Sequence, residues 1–144
     1  MLITFMLIGS ACSSHTDPHL DARAVLAKLV DAGIPATNTF VQTSSTDPNH
    51  LLGRPSQYTS RVSFDLPSGD TSAPPGHVDR GGVVEVFDSA TDAAARRDYI
   101  MALLVADPIL GTESDYLHGR ILVRVAGRVP QTITTQVRLA VEEL

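Results

Sequence analysis

Two stretches limit what this chain can fold into. In residues 57–66, Tyr58, Val62, Phe64 and Leu66 share one face, while Thr59, Arg61 and Ser63 share the other. That two-residue period predicts a strand half-buried against a core. Residues 82–87 are apolar with almost no polar break, which predicts a strand covered on both faces at the centre of a sheet.

The other elements follow from periodicity and punctuation. Asp17 and Pro18 read as the cap and first residue of a helix. Its stripe is Ala22, Val25, Leu26, Leu29 and Val30, and Gly33 and Pro35 end it. Residues 37–42 read as a strand. Residues 43–56 read as a loop with room for one helical turn begun by Asp47-Pro48. Residues 67–80, rich in Pro, Gly, Ser and Asp, are expected to have little order. Ser89 followed by Asp92 predicts a helix start. That helix should run to about Ala106, with its apolar second half buried. Residues 112–117 and 120–126 read as a hairpin across His118-Gly119, and Ile133, Val137, Ala140, Val141 and Leu144 mark a last helix. The order α-β-β-β-α-β-β-α lacks regular βαβ alternation. It predicts an α+β two-layer sandwich: a mostly antiparallel sheet of about five strands with about three helices packed on one face.

Charge narrows the partners. The net charge is −5, and the basic residues are scattered, with Arg96-Arg97 the only adjacent pair. No basic stripe with interleaved aromatics exists, so nucleic acid is not an expected partner. The acidic balance also disfavours electrostatic docking on anionic lipid. There is no P-loop, G-x-S-x-G, H-E-x-x-H, C-x-x-C or EF-hand pattern. His15 and His19 do not share a helical face and lack a third ligand, so no metal and no cofactor is expected.

The N-terminus suggests an address. Leu2, Ile3, Phe5, Met6, Leu7 and Ile8 form a short apolar run before Gly9-Ser10-Ala11-Cys12-Ser13-Ser14. The run is far below the ~20 residues of a membrane-spanning helix but resembles a lipoprotein signal peptide. Residues 1–11 would be removed, and Cys12, the only cysteine, would be lipidated. Residues 12–17 would then be a short spacer and residues 18–144 a single domain close to the extracytoplasmic face of the cell membrane. Several acyl chains hold firmly where one binds marginally. The competing reading makes residues 1–12 a buried element of a cytosolic domain, with Cys12 a small apolar side chain.

The segment Asp47-Pro48-Asn49, Leu51-Leu52-Gly53-Arg54-Pro55 and Gln57-Tyr58 resembles a group of secreted lipoproteins of Gram-positive bacteria. So does Gly81-Gly82-Val83-Val84-Glu85-Val86-Phe87 with Ala95-Arg96-Arg97-Asp98-Tyr99-Ile100. The likeness covers about residues 20–128. It implies the membrane address and a small α+β domain, and supplies no activity.

The densest polar constellation is Asp47, Asn49, His50, Arg54, Gln57 and Tyr58, six such side chains within twelve residues. On a loop this is a candidate binding surface. A structural reading stands beside it: Asp-Pro starts a turn, Gly53 bends it, and Leu51 and Leu52 plug it into the core. The expected function is a membrane-anchored, non-catalytic module that binds an envelope protein or peptide. The alternatives are a small hydrolase using His50 with Asp47, and an envelope or prophage-type protein that blocks another machine.

Overall fold

The computed structural model describes residues 20–144. The chain is α+β. Five strands, β1 (Thr37–Val41), β2 (Ser60–Asp65), β3 (Gly81–Val86), β4 (Glu113–His118) and β5 (Ile121–Ala126), form one sheet in the order β1-β2-β3-β5-β4. Every neighbouring pair is antiparallel. Three α-helices, α1 (Ala22–Asp31), α2 (Ala90–Ala106) and α3 (Gln131–Glu142), complete it. The unbroken run expected at the centre is there as β3, third of five and buried throughout.

Alternation along the strands sends two different sets of side chains to the two faces. Val62, Phe64, Val84, Val86, Ile121, Val123 and Val125 meet Val25, Leu26 and Leu29 of α1 and Val137 and Val141 of α3 in one aliphatic core. Leu122, one residue out of phase, joins Tyr58, Phe87, Ala93 and Ile100 in a second, smaller core. Helix α2 therefore packs on the opposite face from α1 and α3. The expectation of all helices on one face holds for two of the three. The pattern could not reveal this, because α2 buries only Ala93 and Ile100 and carries no clear stripe.

Other details differ from expectation. Helix α1 begins at Ala22 rather than Pro18: Asp21 is extended, and its carboxylate accepts from the Ala24 amide at 2.8 Å. Asp17, Pro18 and Cys12 lie outside the described residues. Strand β2 begins at Ser60, so Tyr58 lies before it and enters the second core instead of sharing a face with Val62 and Phe64. Asp47-Pro48 starts turns and no helix. The second half of α2, expected to be buried, is largely exposed.

The 67–80 excursion is pinned, contrary to expectation. Arg80 donates to both Asp65 oxygens, each at 2.7 Å, and its remaining terminal nitrogen donates to the carbonyls of Thr71 and Ala73. This bidentate pair holds the Asp65 carboxyl below the usual carboxylate range. At the sheet edge, β1 is exposed along its length and its register against β2 shifts between Thr37 and Phe40, where Asn38 takes φ 47°.

Candidate functional site

Two loop features put Asp47 at the centre of the 43–58 segment. Left-handed backbone at His50 (φ 54°) and at Gly53 (φ 78°) curls residues 49–52 over its carboxylate. The amides of Leu51 and Leu52 donate to one Asp47 oxygen at 2.8 and 3.0 Å, and the Asn49 amide donates to the other at 3.2 Å. The Tyr58 hydroxyl adds a fourth bond at 2.6 Å. Burial opposes ionisation of Asp47, but these donors outweigh it and hold the carboxyl below its ordinary value. Burial, and then the hydrogen bond to Asp47, push the Tyr58 phenol well above its ordinary value. Leu51 and Leu52 pack against the second core, as the structural reading anticipated.

Behind this loop lies a buried ionic network that sequence inspection missed. Glu85, on β3, is fully buried. Three guanidiniums surround it: Arg61 at 3.3 Å, Arg124 at 3.1 Å and Arg96 at 3.5 Å. Arg124 also takes both oxygens of Glu113 at 2.8 Å, and Arg61 lies 3.9 Å from Asp47. Burial opposes the Arg124 charge, yet Glu85 and Glu113 hold that guanidinium protonated more firmly than usual. Asp115, opposite Arg124 in the β4–β5 ladder, is the fourth carboxylate against three arginines. Burial, then the Glu113 charge, push its carboxyl up to about 7, and its Oδ1 has no hydrogen-bond partner among the described residues. The available signal was the lone charge in each of the apolar strands β3 and β5, Glu85 and Arg124.

Arg96 faces a cleft. Between the 43–58 loop and α2 lies a space of about 350 Å³ lined by Leu51, Ser56, Gln57, Asp92, Ala95, Arg96 and Tyr99. The Arg96 side chain is only 9% exposed. Its guanidinium carbon sits 6.0 Å from the centre of the Tyr58 ring and 5.8 Å from that of Tyr99. Among the described residues its ion pair with Glu85 carries no hydrogen bond, and no protein acceptor engages its terminal nitrogens. Asp92 lines the same cleft, but its carboxylate accepts from the Ser89 hydroxyl at 2.7 Å and closes the helix cap. The cleft thus offers a donor fork backed by aromatic faces, with apolar and amide-bearing walls. That set of groups suits an anionic group with an apolar neighbour.

The six residues singled out from sequence separate into three sets. Asp47 and Tyr58 are buried in the loop's own framework, and Asn49 braces it by donating to the Tyr58 hydroxyl at 3.2 Å. Gln57 lines the cleft. His50 and Arg54 are exposed, and His50 serves the turn through its backbone. Much of the sheet face that could have offered a flat binding surface is engaged internally: Gln42 bonds Ser63, Asp65 bonds Arg80, and the Glu85 network fills the rest. Among the described residues no group of three His, Cys, Asp or Glu is placed to hold a metal ion, and no helix is long and apolar enough to cross a membrane. No family model, curated protein or solved structure matches the chain.

Proposed function

We propose that this protein is a membrane-anchored extracytoplasmic binding module that holds a peptide or envelope component, without catalysis, in the cleft between the 43–58 loop and α2. The observation that carries the reading is Arg96: nearly buried, flanked by two tyrosine rings, and presenting unengaged donors to that cleft. Leu51 and Tyr99 supply apolar contact beside it, and Gln57 supplies an amide for backbone-like hydrogen bonds. The membrane address is supported by the apolar run and Cys12 of the sequence. The hydrolase alternative has no comparable support, because His50 is exposed and all four donors around Asp47 are structural.

Site-specific photo-crosslinkers at Gln57 and Tyr99 in cells test the binding site. A discrete adduct is expected at both positions, lost when Ser56→Trp fills the cleft and absent with the crosslinker at Arg138 on α3. Adducts of equal yield at Arg138, or none at 57 and 99, would remove the cleft as a site. Intact mass and detergent partition of wild type against Cys12→Ala test the anchor; equal aqueous partition would refute it.

A further inference from the structure

The second half of α2 and the turn after it hold apolar side chains that nothing in the described chain covers. Met101, Leu103, Val105, Ile109 and Leu110 are exposed, Val105 at 82% and Ile109 at 92%. The helix is 17 residues long, about 25 Å at 1.5 Å per residue. The six-residue strands beneath it span only about 20 Å, so its end overshoots the sheet. The exposed residues form no single stripe. Met101 and Val105, four residues apart, share one side of the helix, Leu103 lies on another, and Ile100 and Leu104 turn back to the second core. A stripe suits a flat partner, whereas an apolar surface all round suits surroundings that envelop it. Between residues 100 and 112 the one charged side chain is Asp107. Its carboxylate accepts from the Ile109 amide and caps the Pro108–Leu110 turn at the tip.

We propose that this apolar knob dips into the interfacial layer of the lipid bilayer that carries the protein, laying the domain on its side against the membrane. The proposal rests on the reading of Cys12 as the lipid-bearing residue. The tether has the reach to allow it. Eight peptide steps separate Cys12 from Leu20, at most about 28 Å of extended chain. The Leu20 carbonyl accepts from Arg120 in the turn joining β4 and β5, at the opposite end of the sheet from Glu113 and the knob. A chain of that maximum reach exceeds the length of the six-residue strands. The knob contains no Lys or Arg, so its docking is driven by apolar burial and is independent of salt and of anionic lipid. Asp107 stays at headgroup level, where its charge remains hydrated.

The test uses the full mature lipoprotein in vesicles of phosphatidylcholine, with and without phosphatidylglycerol. An environment-sensitive fluorophore is attached in turn to Val105→Cys, Ile109→Cys and, as a control on α3, Leu139→Cys. Labels at 105 and 109 are expected to shift to the blue and to be quenched by brominated lipid several times more strongly than the label at 139, regardless of salt or phosphatidylglycerol. Quenching by aqueous iodide equal to that at 139 would overturn the proposal. Protection from iodide without quenching by brominated lipid would also overturn it, and would assign the knob to a second copy or another protein. The mass of the same sample separates the two readings. A lipid-free Cys12 removes the tether and this proposal together, whereas a lipidated protein with water-exposed labels removes the docking alone.

Discussion

At the scale of single residues, Glu85 decides more than any other side chain. It is one carboxylate among three guanidiniums with no exposed surface. Removing one member of a buried ion network leaves its partners uncompensated, which costs about 3–5 kcal/mol. Glu85→Gln is expected to lower stability by that order in denaturant melts, although it keeps size and shape. Asp115 gives the network a pH response. Its folded-state carboxyl titrates near 7, above the ordinary value of 3.8, so the folded state binds the extra proton. That stabilisation is complete below pH 4 and is lost as pH rises through 7. The melting temperature should therefore fall between about pH 4 and 7, and Asp115→Asn should flatten the fall. Asp47 acts in the other direction. Its lowered carboxyl contributes stability above pH 4 that disappears as acid protonates it. Tyr58→Phe takes one of its four donors, and a loss of roughly 1–3 kcal/mol is expected at neutral pH.

At the scale of elements, the β2–β3 contact depends on the absence of a side chain. A methyl group on Gly82 would sit 2.6 Å from the Phe64 ring. Gly82→Ala must displace that ring from the main core, and over-packing of this kind costs typically ~1–3 kcal/mol, measurable by thermal melting. The pair also shows what the sequence could and could not convey. Strands β2, β3 and β5, helix α3 and the Ser89 cap of α2 were legible, because each is fixed by local alternation, periodicity or a capping side chain. The placement of α2 was not, since its two buried residues, Ala93 and Ile100, make no stripe. The candidate site was half legible. The loop's polar cluster stood out, but nothing local says that Asp47 faces inward while Gln57 borders a cleft. In the sequence Arg96 stands out only as half of the adjacent pair Arg96-Arg97. Its burial is set by Tyr58 and Glu85, which are distant in sequence and arrive only when the sheet forms.

At the scale of the molecule, two unequal cores share one sheet, and strands β4 and β5 contribute to both. Neither face can be stripped without exposing the other, so unfolding should be a single cooperative step. Tyrosine fluorescence, with Tyr58 in the small core, and far-ultraviolet circular dichroism should give coincident denaturant midpoints. Separate midpoints would mean that the α2 face opens first. Strand β1 matters at a still larger scale. Its outer side offers a row of bare backbone donors and acceptors, the pattern on which chains zip into fibrils. The bulge at Asn38 interrupts that row. Molecules crowded shoulder to shoulder can then brush past one another without adding strand to strand, and the irregularity serves the population rather than the individual.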